Sequence, residues 1–170
     1  MELQDFIKTE LDSIKQITMK AMDGLSQEEL KWKPNHEANS IGLIYFHQSR
    51  SEDRFVQSRI LGKDQIWESE KWYLKLDKKA EDSGGGYTNE QLAMFVVPKV
   101  KDLLEYSEAV RSKTLECLKN MTLAEFDKVI NIPRLGDKSL GAIFSLVVLH
   151  LAQHAGEISY LRGLQRGMNK

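Results

Sequence analysis

Four long stretches of this chain repeat apolar residues at spacings of three and four, and that period restricts the fold more than any other feature. The first, residues 3–24, sets Ile7, Leu11, Ile14, Thr18 and Met22 on one face and closes at Gly24. The second runs from Ile41 to about Leu61, between an N-cap at Ser40 and a stop at Gly62. Its seam carries Leu43, Ile44, Val56 and Ile60, and the face rotated away carries Ser49, Glu52 and Asp53. A capping box, Thr88 with Gln91, opens the third, whose stripe is Leu92, Val96, Val100, Leu103, Ser107, Val110, Thr114 and Cys117. That stripe stays in phase across Pro98, which predicts a kink and not a break. The fourth starts at Ser139 and continues through Phe144, Val147, Ile158 and Leu161. Core-facing spacing on four helices predicts an all-α four-helix bundle, a single domain over residues 1–170.

Connections are read from their caps and breakers. Ser26 with Glu29 opens a short helix that ends at Trp32–Pro34, and Thr122 with Glu125 opens a turn at Leu123–Lys128. The long loop 62–87 between helices two and three holds Trp67, Trp72 and Tyr73, a helical turn around Ser69–Leu74, and a flexible run Gly84–Gly86. Val129–Ile132 is the only β-rich segment and is too short for a sheet, so the stretch up to Ser139 reads as an extended connection.

A net charge of −1 with interleaved signs excludes the basic footprint that nucleic acid requires. The longest apolar run falls short of the ~20 residues of a membrane span, and the charged, periodic start lacks a signal-peptide core. A cytoplasmic setting is expected. The single Cys117 excludes an intramolecular disulfide; its place on an apolar stripe suggests a packed, unreactive thiol more than a nucleophile.

Chemistry concentrates in the fourth stretch. His150 and His154 are one helical turn apart, so both imidazoles leave the face that Phe144, Val147, Ile158 and Leu161 make apolar. Unpartnered polar groups there lose ~1–3 kcal/mol each, which favours a shared ligand. An open metal site takes three protein ligands, and His47, on the seam of helix two, is the candidate for the third. His36 lies in the polar segment PNHEANS and reads as a surface residue. Glu157, three residues past His154, is either an outer carboxylate for an imidazole or a solvated one. A neutral three-nitrogen shell suits Zn, Ni, Fe or Co.

Three stretches, NSIGLIYFHQSRSEDRF, DSGGGYTNEQL and HLAQHAGEISYLRGLQRG, with KWKPNHEANSIG before helix two, together resemble the DinB/YfiT-like family of metal-binding four-helix bundles. The resemblance runs over nearly the whole chain and implies that His47, His150 and His154 bind a divalent transition metal, with Zn, Ni or Fe favoured. It further implies a homodimer and, by analogy with thiol-dependent S-transferases and isomerases, a low-molecular-weight thiol as cosubstrate. The functional expectation is a metal-dependent thiol S-transferase or hydrolase acting on a small molecule, with its catalytic residues unassigned. Arg50, one turn past His47, either steers an anionic cosubstrate or is a surface residue, and the 62–87 loop would wall or cover the pocket. The alternatives are a non-catalytic metal bundle with a structural or sensing role, and an aromatic-lined small-molecule binder.

Overall fold

Residues 2–167 are described by the computed structural model. In chain order its helices are α1 (Leu3–Met22), α2 (Gln27–Lys31), α3 (Ile41–Asp53), α4 (Ile66–Ser69), α5 (Trp72–Lys75), α6 (Asn89–Met94), α7 (Val100–Asn120), α8 (Leu123–Phe126) and α9 (Leu140–Arg166). Side chains at the N-caps set where many of them start. Ser26, Thr88 and Thr122 each form a capping box, and Ser40 and Ser139 accept from the N–H groups of Leu43 and Ala142. The free donors of the first turns are thereby satisfied.

The long helices pack in the cyclic order α1, α9, α3, α7. One apolar cluster gathers Phe46, Trp67, Trp72, Tyr106 and Ile158, and a second gathers Leu11, Val56, Phe144 and Leu151. Every residue of α3 except His47 is buried, including Ser49, Glu52 and Asp53 on the face expected to turn away. The reason is position: α3 touches α9, α7, α2 and α4, so none of its faces meets bulk water. Its polar residues are instead paired internally. Arg111 donates from Nε and Nη2 to the two Glu52 oxygens at 2.8 and 2.9 Å and from Nη1 to the Leu11 carbonyl at 2.9 Å. Asp53 accepts from the N–H groups of Ile66 and Trp67 at 3.1 and 3.0 Å, capping α4 from below.

Several sequence expectations need correction. The second helical stretch does reach Ile60, but Arg54–Ile60 widens into a π-helix, which Gly62 ends at φ 63°. Pro98 breaks the third stretch: α6 stops at Met94, α7 begins at Val100, and Val96 is exposed instead of lying on the stripe. A break is tolerated because Gln27 takes up the released backbone groups, donating to the carbonyls of Val97 and Pro98 and accepting from Val100 N–H.

The fold is mostly helical and not all-α. Val129–Ile132 (β1) pairs antiparallel with Gly136–Ser139 (β2), Val129 opposite Ser139 and Ile132 opposite Gly136. Short as it is, this hairpin has a core of its own, because Ile132 packs with Leu140 and Ile143. By length and hydropathy, 1.2 over its most apolar window, α9 is apolar enough to cross a membrane. In this fold its buried residues, from Leu140 to Leu161, pack against α1, α3, α8 and the hairpin. Trp67 and Trp72 belong to the core: both are buried, with Trp67 Nε1 donating to the Ala80 carbonyl at 2.9 Å.

Candidate metal centre

Position in the helices delivers three imidazoles to one point. His47 is the single residue of α3 not sealed in the core. His150 and His154 project from α9 one turn apart, toward it. The Nε2 of His150 lies 3.1 Å from that of His47 and 3.1 Å from that of His154. Ring centroids are 4.4 to 5.0 Å apart, and the His154 ring stands edge-on to both others.

The outer nitrogens decide what the inner ones can do. His47 Nδ1 lies 2.9 Å from the Gly84 carbonyl, an acceptor only, so the proton of this neutral ring sits on Nδ1 and Nε2 presents a lone pair. His154 Nδ1 is likewise 2.7 Å from a Glu157 carboxylate oxygen, which leaves its Nε2 bare. The resulting assignment makes Glu157 the outer carboxylate that helical spacing had left open. One proton on His150 Nε2 can satisfy one of these two neighbours and not both. A cation among the three nitrogens satisfies all of them. A tetrahedral metal with bonds of ~2.0–2.1 Å separates its ligand nitrogens by about 3.3 Å, close to the observed spacing. Donor type, count and spacing thus fit a divalent metal.

Electrostatics agree with neutral rings at His150 and His47. Burial, then repulsion from a proton on His154 or His47 and from the Arg54 charge, push His150 from 6.5 down to about 4. Burial also lowers His47, helped by His154. Between those two values for His150 the unfolded chain binds more protons than the folded one, so stability falls as pH drops through the window. Metal-free protein should show a urea midpoint that decreases from pH 6.5 to pH 4, with a shallower decrease in His150→Ala. Parallel profiles for the two proteins would refute the assignment.

Beside the imidazoles opens a cavity of about 250 Å³, lined by Asn39, Leu43, Ile44, Tyr87, Leu92 and the Gly84–Gly86 loop as well as His47 and His154. That loop, expected to be flexible, is fastened. Asp82 Oδ1 accepts from Gly84 N–H at 2.9 Å and Tyr87 Oη at 2.6 Å, and Ser83 Oγ donates to the Gly85 carbonyl at 3.0 Å.

Arg50 leads away from the imidazoles. It is buried behind the loop, its guanidinium stacked 4.2 Å over the Trp67 ring and donating to Gln65, Tyr106 and the Asp82 carbonyl. A role in steering a cosubstrate has no support in this placement; Arg50 anchors the loop. The cation that periodicity overlooked is Arg54, seven residues after His47, half-buried and without a hydrogen bond or ion pair among the described residues. Its i+7 spacing from His47 was the available signal. His36 is on the surface, its side chain 91% exposed. Cys117 borders a separate cleft of about 790 Å³, yet it is buried and burial pushes its thiol up to about 11, as a packed residue would be.

No curated protein matches the sequence. Among solved structures, the crystal structure of a conserved protein of locus from Enterococcus faecalis superposes with a TM-score of 0.86. It is 20% identical and covers 99% of this chain and 99% of that one, a likeness of fold. The sequence model of the DinB superfamily matches residues 10–158, a span that takes in α3, the glycine loop and all three histidines of α9 and α3. On that match, and with the fold in agreement, the chain belongs to the DinB superfamily.

Proposed function

We propose that the three-histidine centre holds a divalent transition metal, zinc, nickel or iron, and serves thiol S-transfer or hydrolysis on a small molecule. The observation that carries this reading is the convergence of three imidazoles beside an open cavity, with His150 Nε2 3.1 Å from the Nε2 of each of the other two. A bound metal of this kind lowers the pKa of a coordinated thiol or water and so supplies a nucleophile near neutral pH. The chain's own groups prepare the site. The Gly84 carbonyl and the Glu157 carboxylate hold two rings in the tautomer that points a lone pair inward. Imidazole ligands bring no negative charge to the metal, the one outer carboxylate, Glu157, only partly offsets it, and Arg54 adds positive charge, so an anionic ligand such as a thiolate is favoured. Leu43, Ile44 and Leu92 offer an apolar wall for a small electrophile, and Asn39 and Tyr87 offer polar contacts.

Zinc-loaded protein should consume glutathione or bacillithiol in the presence of an aryl halide, or hydrolyse a nitrophenyl ester. Rates should fall to background after chelation and in His150→Ala. Tight metal binding that raises the melting temperature, with no turnover of either substrate, would instead make the centre structural or sensory.

A further inference from the structure

Gly85 faces the ring of His47. A Cβ placed on Gly85 would lie 2.6 Å from His47 Nδ1 and 2.7 Å from Cε1, closer than real Cβ contacts come, and its three nearest atoms all belong to that ring. Its neighbours differ. Gly84 and Gly86 sit at φ 77° and 72°, conformations that favour glycine for backbone reasons, whereas Gly85 does not have a positive φ. At Gly85 the backbone would accept a side chain; only His47 refuses one.

We propose that Gly85 is a positioning residue of the three-histidine centre: by lacking a side chain it lets the loop seat against His47 and sets where that ring presents Nε2. The proposal rests on the metal reading of the site. Its first support is the bond from His47 Nδ1 to the Gly84 carbonyl, 2.9 Å, which forms only while the loop lies this close. Its second is that the loop cannot retreat cheaply. Asp82 holds Gly84 N–H and the Tyr87 hydroxyl, and Arg50, itself buried, donates from Nε to the Asp82 carbonyl at 3.2 Å. Behind Gly84 the Arg50 stem leaves no slack, since a Cβ there would lie 2.9 Å from Arg50 Cγ. With the backbone held, an added methyl group displaces the ring. The Nδ1 bond is lost, and Nε2 leaves its place 3.1 Å from His150.

The test compares Gly85→Ala with the parent and with Gly62→Ala, using Co(II) titration followed by its visible absorption, melting without metal, and nitrogen NMR of the His47 ring. Gly85→Ala is expected to bind Co(II) about 10–100-fold more weakly, the range for losing an outer contact to a ligand. Its absorption band should change, while its metal-free melting stays within about 2 °C of the parent. Gly62→Ala, strained at φ 63° but facing open space and outside the three-histidine centre, should melt about 5 °C lower and keep the parent's Co(II) band. Equal affinity and an identical band in Gly85→Ala would overturn the proposal. So would a Gly85→Ala protein that melts far below the parent without metal, since Gly85 would then serve the fold and not the ring. Should the parent bind no Co(II), the metal reading fails by itself, and the NMR decides on Gly85. A shift of the His47 nitrogens away from the Nδ1–H form upholds its positioning role, and unchanged signals refute it.

Discussion

His150→Ala should abolish stoichiometric metal binding. Of the three ligands it is the central one, with its Nε2 3.1 Å from each of the other two. Losing an outer-shell contact weakens metal by about 10–100-fold, and losing a ligand exceeds that range. The expected drop in affinity is therefore more than ~100-fold. Metal at 100 times the parent's dissociation constant should stabilise the parent by ~2.7 kcal/mol and the variant by less than ~0.4 kcal/mol. Without metal the order changes. The parent then faces at least one imidazole lone pair toward another with no proton between them, so removing the central ring relieves a conflict as well as losing packing. Metal-free stability should shift by no more than about 1 kcal/mol. Calorimetric titration with zinc and melting with and without it check both halves. One equivalent of zinc bound by His150→Ala at the parent's affinity would end the three-histidine assignment.

A second large effect is expected at the Glu52–Arg111 pair, outside the three-histidine centre. Glu52→Ala should destabilise the protein by about 3–5 kcal/mol, because it strands the Arg111 guanidinium in a buried site. Both partners are nearly sealed, with side-chain exposures of 4% for Glu52 and 10% for Arg111, so water cannot replace the lost carboxylate. The two bonds at 2.8 and 2.9 Å join α3 to α7, and the bond to the Leu11 carbonyl carries the same guanidinium to α1. Replacing the pair together, as Glu52→Leu with Arg111→Met, removes the stranded charge and should recover most of the loss. Urea midpoints of the single and double variants at constant m-value separate the two cases. A single variant within 1 kcal/mol of the parent, by the same measure, would show that the pair is solvated in solution.

The two predictions differ in how far each site was legible beforehand. His150 and His154 announce themselves, because a helix has one period and two residues a turn apart on its apolar stripe must share a face. His47 was accessible by the same logic, on the seam with Leu43 and Ile44. Glu52, Asp53 and Ser49 were misread for a definite reason. Amphipathic spacing distinguishes one buried face from one exposed face, and α3 has no exposed face at all. A polar residue in a surrounded helix is satisfied by partners distant in sequence: Arg111 for Glu52, and the N–H groups of Ile66 and Trp67 for Asp53. No local pattern records such a partner.

Arg50 and the glycine run show the same limit from the other side. One turn past His47, Arg50 had the spacing of a ligand-facing residue, but α3 turns it onto Trp67 and the Asp82 carbonyl. Three glycines in a row read as a mobile loop until the acceptors and donors that fasten them are known. Pro98 was located correctly and its consequence was not, since whether a proline kinks or breaks a helix depends on who satisfies the released carbonyls. Here Gln27, more than seventy residues away in sequence, does so.

What this sequence determined by itself is local: the capped helix starts, the apolar stripes of α1 and α9, and the pair of histidines that must face inward together. Short-range sterics and hydrogen bonds within a few residues set these features, and they survive in any tertiary arrangement. The tertiary structure alone decided which polar residues are buried, where the helical stretch at Pro98 ends, and that the hairpin β1–β2 has a core to pack on. It alone brought the Gly84 carbonyl against a ring thirty-seven positions earlier in the chain. Each of those outcomes depends on a partner supplied by a different element, and burial makes the presence or absence of that partner worth more than any local propensity.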